Sequence, residues 1–369
     1  MSALRSLAVE SLSIRGFRNL AKVDIALGAG FNVISGNNGQ GKTNFLESIY
    51  VLATSKSFRT SKLSELVQID GEVASIRARI REDTEVREQS LGLRHGRRSI
   101  RVDGKRPSGL AEYAMQTPVV VFHPGTVTLS AGSGRERRRL LDRVALYSCP
   151  ASLREATAYR RAMQARQRLL ETRGDSRQGI EEWEELIVRH GAALSLARQD
   201  AVIQLAPAVE ESFARIGPSG LKLRIRYERS APETMEAFRT RLSEYRTKDR
   251  ARRSASFGPH RDDLALELDG RSVRGMASQG QHRAVVLALE LAEMEVIARV
   301  RGVRPLLLLD DVSSELDRER TAALIAALRQ HRGQVLMTTT RPEFLAAEAF
   351  PDAEGRRDFI VVSGNFSSG

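Results

Sequence analysis

Residues 36–43 have the types and the spacing that binding a phosphate group requires. They read GNNGQGKT, and glycines at such intervals let successive backbone N–H groups turn toward an anion. The lysine would then face the β and γ phosphates of a nucleotide, and the threonine hydroxyl could ligate Mg²⁺. An apolar run before the motif and helical apolar spacing after it favour this P-loop over an ordinary glycine turn. The predicted phosphate-binding residues are Gly36, Asn37, Asn38, Gly39, Gln40, Gly41, Lys42 and Thr43.

Two adjacent carboxylates, Asp310 and Asp311, could supply the metal and water chemistry of the same site. They follow the apolar run 305–309, which predicts a buried parallel strand, and parallel strands present their carboxyl ends along one edge of a sheet. Asp310 would reach Mg²⁺ directly or through water, and Asp311 would act as a base or position a water molecule. Solvated acids at a strand end are the alternative.

Residues 277–281, ASQGQ, open a long apolar helix predicted over 284–300. Ser278 and Gln281 have the spacing of a capping box, in which each side chain bonds the backbone N–H of the other residue. The amino end of a helix also attracts anions. From the residues alone, the segment could be an anion site or a plain helix cap.

The elements that must position these residues fall into three segments, which we predict as domains. Residues 1–130 are rich in β-type alternation and form an ATPase lobe around the P-loop. Residues 131–255 form a helical arm or lobe, and residues 256–369 complete the ATPase domain. A hairpin is predicted around Asp103 and Gly104, a favoured tight-turn pair. Strands are predicted at 7–14, 23–27, 31–35, 74–80, 89–93, 118–122, 221–227, 305–310 and 334–338.

The middle segment has helical apolar spacing in two series, at 153–170 and 183–209, with a polar break between them and Gly217 after them. This pattern predicts a short antiparallel helical arm. His190 and Trp183 lie on its apolar face and are expected to pack in a core. A single basic helix is predicted at 234–253.

Composition restricts the partners and the environment. The chain has 369 residues, a formal net charge of +12 and a pI near 10.3, so an anionic partner such as nucleic acid is favoured. No apolar run is long enough to span a membrane. The amino-terminal residues lack the apolar stretch of a secretory signal, and Cys149 is the only cysteine. We therefore expect a cytoplasmic protein.

Arginine clusters are candidates for phosphate contacts with duplex DNA, because few aromatic residues accompany them to stack on single-strand bases. Each cluster could equally be a solvated surface. The clusters are Arg94, Arg97, Arg98 and Arg101; Arg135, Arg137, Arg138, Arg139 and Arg143; and Arg246, Arg250, Arg252 and Arg253.

The order of GNNGQGKT, ASQGQ, LLLLDDVSSELD and TTTR resembles that of ABC-type ATPases. Further motifs over nearly the whole chain are similar to those of the RecF family of bacterial recombination mediators. They lie at 17–19, 44–48, 57–59, 137–142 and 258–263. The resemblance implies an α/β fold: an ABC-type ATPase head with a P-loop sheet core and a short antiparallel helical arm.

The resemblance also implies how a second copy of the chain takes part. Ser278, Gly280 and Gln281 would form the signature motif that contacts the γ-phosphate of ATP held by a partner's P-loop, and Asp317 would lie near that seam. The expected function is an ATP-dependent homodimer that binds duplex and gapped DNA and aids RecA loading with RecO and RecR.

The chain departs from many ABC-type ATPases in ways that indicate slow, DNA-stimulated hydrolysis. Asp311 replaces a longer glutamate, and Thr340 stands where a switch histidine is common. His123 is placed in the region of the glutamine-bearing loop. Two alternatives stay open: a transporter ATPase subunit, and a short SMC-like structural head that needs a bridging partner.

Overall fold

The computed structural model describes residues 4–173, 179–311, 318–341 and 355–369. It divides into a first unit, Met1–Thr126 with Leu287–Gly369, and a second unit, Val127–Val286. Strands of the first unit are β1 (Leu7–Phe17), β2 (Leu20–Ala26), β3 (Phe31–Ser35), β4 (Val73–Glu82), β5 (Glu85–Arg94), β6 (Arg97–Val102), β7 (Val119–Phe122), β11 (Leu306–Asp310), β12 (Val335–Thr339), β13 (Arg357–Val362) and β14 (Asn365–Ser368). Its helices are α1 (Lys42–Thr54), α2 (Leu110–Gln116) and α10 (Arg318–His331).

The second unit is mainly helical. Its helices are α3 (Thr128–Ala131), α4 (Gly134–Ser148), α5 (Ala151–Arg173), α6 (Ile180–Ile216), α7 (Met235–Glu244) and α8 (Arg246–Arg252). Its strands are β8 (Leu223–Glu228), β9 (Asp263–Leu268) and β10 (Arg271–Ser272). Helix α9 (Gln279–Arg301) begins in the second unit and ends in the first.

A largely parallel sheet forms the centre of the first unit, with its described strands in the order β14-β13-β3-β12-β11-β7. Strands β11 and β12 are buried at every position, as apolar runs in a sheet covered on both faces should be. Parallel pairing aligns Ser35 with Thr339, Thr338 with Asp310, and Leu309 with Phe122. The carboxyl ends of four strands therefore meet at one edge of the sheet.

A second sheet of the first unit is antiparallel, in the order β2-β1-β4-β5-β6. Along β4, alternate residues are buried and exposed, which explains the period of two in the sequence. Its buried side chains share one hydrophobic core with α1, whose Phe45 and Leu46 are fully buried. This core fixes α1 and thereby the loop that precedes it.

The hairpin predicted around Asp103 and Gly104 is a tight turn closed by one bridge and does not join two strands. Both residues have the positive φ of such a turn, but a single bridge between Val102 and Lys105 follows, and β6 pairs with β5 instead. The hairpin turn lies at His95 and Gly96, which also have positive φ. A favoured turn pair specifies a reversal of the chain, whereas the pairing depends on which strand can bury its apolar face.

The helical arm has the predicted form. Glu155 of α5 accepts a hydrogen bond from His190 of α6, and Arg166 bonds Glu184, so contacts advance along one helix and retreat along the other. This pattern shows that the helices are antiparallel. Trp183 packs against a core that contains Tyr159 and Ile187, and α6 ends at Gly217.

The basic helix predicted at 234–253 is two helices, α7 and α8, separated at Tyr245. The break lets two residues of α8 point into the unit: Arg246 bonds Glu184, and Asp249 bonds Arg166. Helical hydrogen bonds still cross the break, because the Tyr245 N–H donates to the Arg241 carbonyl and the Asp249 N–H to the Tyr245 carbonyl. Residues 256–286 also belong to the second unit, because β9 pairs with β8.

Candidate nucleotide-binding site

The P-loop lies between β3 and α1, at the carboxyl edge of the parallel sheet. Gly36, Gly39 and Gly41 all have positive φ, of 152°, 80° and 112°. A Cβ atom on Gly36 would lie 2.5 Å from the carbonyl oxygen of Val361, which forbids any larger residue there. The glycine spacing therefore follows from backbone geometry as well as from close packing.

Lys42 is the first residue of α1 and only 7% exposed. Its ammonium group donates hydrogen bonds to the carbonyl oxygens of Gly36 at 2.6 Å and Asn37 at 2.9 Å, so the side chain folds across the loop. Burial lowers the pKa of Lys42, and the nearby Asp311 and Asp310 oppose this effect. Both of these acceptors are neutral carbonyl oxygens. Charged phosphate oxygens form stronger hydrogen bonds with an ammonium group, so Lys42 is well suited to bind them.

Asp310 ends β11 and meets the P-loop although it lies 267 positions after Thr43 in the sequence. The Thr43 hydroxyl lies 2.8 and 3.0 Å from its two carboxylate oxygens, and the Thr338 hydroxyl donates at 2.9 Å. Burial raises the pKa of Asp310, and the neighbouring Asp311 adds to this. A hydroxyl and a carboxylate in contact are the hard oxygen donors that Mg²⁺ prefers, so these residues fit that ion.

Asp311 follows with φ of 47°, in the left-handed region. Its backbone N–H donates to the Thr338 hydroxyl at 3.0 Å, so Thr338 connects the backbone of one acid to the carboxylate of the other. Both carboxylates interact electrostatically with the ammonium group of Lys42. The structure thus brings together the P-loop and the acid pair as the sequence predicts.

Two further predicted residues lie at the same edge of the sheet. His123 follows β7, directly beyond the pair Phe122 and Leu309, and its ring lies 4.9 Å from that of Phe58. Thr340 follows β12. The location of His123 is compatible with the predicted loop region, and its role stays a prediction. Asp317 lies outside the described residues.

The signature segment forms its capping box within the second unit. The Ser278 backbone N–H donates to Oε1 of Gln281 at 2.8 Å, and the Gln281 N–H donates to the Ser278 hydroxyl at 3.2 Å. Ser278 is exposed, and Gly280 is half-buried in the first turn of α9. The predicted contact of Ser278, Gly280 and Gln281 with a partner's nucleotide stays a prediction.

A hydrogen-bonded network around Glu47 was not assigned a role from the sequence. Glu47 lies on α1 and is fully buried, and it receives two hydrogen bonds from Arg18, one from Ser57 and one from Arg59. Glu47 lies in the family-like motif at 44–48, and its partners come from two others, at 17–19 and 57–59. Charged residues in three separate motifs were the available signal.

The same network reaches the P-loop. Arg59 donates to Asn44 at 2.6 Å, Asn44 donates to Asn19 at 2.8 Å, and Asn19 donates to the carbonyl oxygen of Gly39 at 3.4 Å. A Cβ on Gly41 would lie 3.0 Å from Oδ1 of Asn19. The buried carboxylate therefore holds side chains that pack directly against the loop.

Within the arginine cluster at 135–143, the structure assigns a structural role to one member, Arg137, and leaves DNA contact by the others a prediction. Arg137 is 4% exposed and forms a two-pronged ion pair with Asp263. Arg138 donates to the carbonyl oxygen of Asp262, and Arg139 pairs with Glu136. Arg137 is a structural residue, because its hydrogen bonds are made within the protein.

One parallel sheet carries both the P-loop and a strand that ends in an aspartate, and a helix elsewhere in the chain begins with the capped signature segment. This combination defines an ABC-type ATPase head. The model of the RecF/RecN/SMC N terminal domain matches residues 8–350. The DNA replication and repair protein RecF of Anaeromyxobacter sp. (strain Fw109-5) is 39% identical over 367 residues, which cover 97% of this chain and 98% of the relative. RecF of Myxococcus xanthus (strain DK1622) is 39% identical over 359 residues, 93% of each chain. The chain belongs to the RecF family of DNA replication and repair proteins.

Solved structures agree with this assignment. The RecF–ATP structure described as a recombination mediator in the RecFOR pathway is 29% identical, with a TM-score of 0.89 over 100% of this chain and 99% of that one. The Smc head domain of Pyrococcus furiosus bound to the C-terminal domain of ScpA is 18% identical, with a TM-score of 0.56 over 98% and 96%, which shows a shared fold. The transporter and structural-head alternatives are not favoured. Across the described part of the chain, every helix is too short or too polar to cross a bilayer.

Proposed function

We propose that the chain is an ATP-dependent DNA-binding protein of recombinational repair and replication in the cytoplasm. ATP binding would favour a homodimer on duplex DNA near single-strand gaps, and the complex would aid RecA loading with RecO and RecR. The contact between Thr43 and Asp310 is the observation that carries this proposal, because it joins the two halves of a nucleotide site within one chain. The RecFOR pathway of the structurally similar RecF supports the named partners.

Residues of the P-loop would hold the triphosphate. Backbone N–H groups at 36–43 would surround the phosphates, and Lys42 would exchange the carbonyls of Gly36 and Asn37 for phosphate oxygens. Thr43 and Asp310 would hold Mg²⁺, which would neutralise charge on the β and γ phosphates. The buried state of Lys42 and Asp310 supports these roles, because both charges are poorly solvated in the free protein.

A second copy of the chain would complete the site. Ser278, Gly280 and Gln281 at the capped end of α9 would contact the γ-phosphate bound to the partner, with Asp317 nearby. Nucleotide binding and dimerisation would then be coupled reciprocally, each increasing the affinity of the other. The exposure of Ser278 is consistent with a ligand from another molecule.

Slow hydrolysis would reset the dimer. Lys42 and Asp311 are the proposed catalytic residues: Lys42 would stabilise charge on the phosphates, and Asp311 would position the attacking water. The shorter side chain of Asp311 and the absence of a histidine at Thr340 support a slow switch. The net charge of +12 supports binding to DNA.

Sedimentation of the purified protein with and without ATP and duplex DNA tests the proposal. We expect a monomer without nucleotide and a DNA-bound dimer with ATP. Lys42→Ala should abolish ATP binding and the dimer, whereas Asp311→Asn should bind ATP and dissociate more slowly. Lys62→Ala is the matched control, because Lys62 is 75% exposed and pairs with Glu65.

A monomer that persists with both a non-hydrolysable analogue and duplex DNA would refute the dimer. Normal ATP hydrolysis by the Asp311→Asn protein would refute the role of Asp311. Retention of ATP by the Lys42→Ala protein would refute the proposed nucleotide site itself.

A further inference from the structure

The segment 246–263 of the second unit carries more positive charge at its surface than its sequence suggests. Its side chains include six lysines and arginines and three aspartates. Pairing within the segment would occupy three of the six cations and leave a formal charge of +3 on the rest. Here the pairing is not local, because arginines from other helices neutralise the aspartates.

Each aspartate of the segment is bound by a buried arginine of another element. Asp249 accepts from Arg166 of α5 at 2.8 Å, and both side chains are at most 1% exposed. Asp262 is fully buried and accepts from Arg198 of α6 at 3.4 Å. The Tyr227 and Ser195 hydroxyls and the backbone N–H of Ser230 also donate to Asp262.

The third aspartate, Asp263, forms the two-pronged ion pair with the buried Arg137 of α4. Each of the three carboxylates is therefore paired with an arginine whose side chain is at most 5% exposed. Arg198 is shared, because it also forms a two-pronged ion pair with Asp142, but within the described residues none of the three carboxylates pairs with an exposed cation of the segment.

The exposed cations of the segment consequently have no acid to pair with. Arg250, Arg252, Arg253 and Arg261 are all exposed, and within the described ranges none has a carboxylate at ion-pair distance. Arg246 differs, because it is buried and bonds Glu184. The structure thus separates the predicted cluster into one structural arginine and several surface arginines.

Backbone geometry after α8 holds Arg261 near the helix end that carries the other three surface arginines. Arg253 has φ of 51° and ends α8, and the Ser256 N–H donates back to the carboxylate of Asp249 at 2.8 Å. Nε of Arg261 donates to the carbonyl oxygen of Ala255 at 2.8 Å, which holds the base of that guanidinium next to the end of α8. Among the residues that the structure describes, the two terminal nitrogens of Arg261 have no hydrogen-bond acceptor.

We propose that Arg250, Arg252, Arg253 and Arg261 form a contact surface for the phosphate backbone of duplex DNA, an inference that rests on the DNA binding proposed above. Four guanidinium groups without carboxylates complement a polyanion, and arginine bonds phosphate through paired N–H groups. Two aromatic rings lie near these arginines in sequence: Phe257 is buried, and Tyr245 is covered by Arg241 and Lys248. Backbone contact is therefore favoured over base stacking.

The test compares two quadruple variants that lower the net charge equally. R250Q/R252Q/R253Q/R261Q removes the surface, and R15Q/R77Q/R79Q/R81Q removes four arginines of the antiparallel sheet that pair with Asp24, Glu88 and Glu10. Affinity for a blunt duplex is measured with ATP at several salt concentrations. The slope of log affinity against log salt becomes shallower by about 0.9 for each DNA phosphate that the protein no longer neutralises.

We expect the first variant to bind duplex DNA at least tenfold more weakly and with a shallower slope, while the control variant keeps the wild-type slope and both still form the ATP-dependent dimer. An unchanged slope in the first variant, or an equal loss in the control, would overturn the surface alone. Binding of a glutamate-rich peptide is measured in parallel. If the first variant loses affinity for the peptide but not for the duplex, the surface belongs to an acidic protein partner and the DNA proposal is overturned. A wild-type chain that does not bind duplex DNA would overturn this surface and the proposed function together.

Discussion

Replacing Glu47 by glutamine tests whether the buried network behind the P-loop supports both stability and nucleotide binding. The substitution keeps the shape of the side chain and removes its charge. Glu47 is 0% exposed, whereas the side chain of Arg18 is 20% exposed and that of Arg59 is 43% exposed. The two arginines therefore lose different amounts of stabilising free energy when the carboxylate is removed, because the more exposed one is better solvated by water.

The expected cost follows from these exposures. Removing one partner of a buried ion pair costs about 3–5 kcal/mol, and a half-exposed partner such as Arg59 adds only ~0–1 kcal/mol. Glutamine retains one carbonyl acceptor for Arg18 or Ser57, and Arg18 keeps some contact with water. We therefore expect the free energy of unfolding to fall by about 2–3 kcal/mol.

Part of this loss should appear in nucleotide affinity, because Arg59 and Asn44 connect Glu47 to Asn19 and the loop at Gly39. If about half of the energy holds the loop in its binding conformation, ATP affinity falls about tenfold, since 1.4 kcal/mol is a factor of ten. Urea unfolding and fluorescence titration with a labelled ATP measure the two effects.

Glu65→Gln is the control, because Glu65 is an exposed acid that pairs with the exposed Lys62. It should change neither the urea midpoint nor the ATP affinity. Wild-type stability and affinity in the Glu47→Gln protein would refute the reasoning. A loss of stability with unchanged affinity would show that the network supports the core but not the loop.

Three further substitutions have defined outcomes. Arg137→Gln should destabilise the protein by about 2–3 kcal/mol, less than the full cost of breaking a buried ion pair because Asp263 is 29% exposed and keeps a hydrogen bond from the Leu264 N–H, yet keep the salt slope of DNA binding; a shallower slope would return Arg137 to the DNA surface. Thr338→Val should weaken Mg²⁺-dependent ATP binding by roughly 10–100-fold through loss of the hydroxyl that bonds Asp310, and a titration that matches wild type at every Mg²⁺ concentration would contradict this. Burial lowers the pKa of His331 from 6.5 to about 4, so the unfolded chain takes up a proton between these values that the folded chain refuses, and stability is lost as the pH falls through this range, by up to about 3 kcal/mol. His331→Gln should remove that dependence in urea unfolding at pH 7 and pH 5, and parallel losses in both proteins would exclude His331 as the cause.

The P-loop and the acid strand could be predicted because their determinants are local. Glycine spacing follows from backbone dihedral angles, and an apolar run of five residues before Asp310 is typical of a strand buried on both faces. Their meeting followed from a general property of parallel sheets, which gather carboxyl ends at one edge. No long-range pairing had to be known.

The arginines could not be assigned because their state depends on distant partners. Arg137 lies within a run of three arginines that look alike in the sequence. It alone of the three is buried, because it pairs with Asp263, which lies 126 residues away. The same holds for Arg246, which α8 directs toward Glu184. A cluster of charged residues in a sequence therefore does not by itself predict a charged surface. The tertiary structure determines which of those charges are already paired inside the protein.

Burial at the sheet edge disfavours charge on two residues of the candidate site. The folded chain holds Lys42 with a lowered pKa and Asp310 with a raised pKa, each because burial disfavours its charge. An anion alone would relieve Lys42 and worsen the repulsion at Asp310 and Asp311, and a cation alone would do the reverse. If the site binds ATP with Mg²⁺ as proposed, a ligand that brings phosphate and a divalent cation together would relieve both, whereas either component alone would relieve one. This relief would connect nucleotide binding to the stability of the sheet edge, since any ligand that binds only the folded state stabilises it.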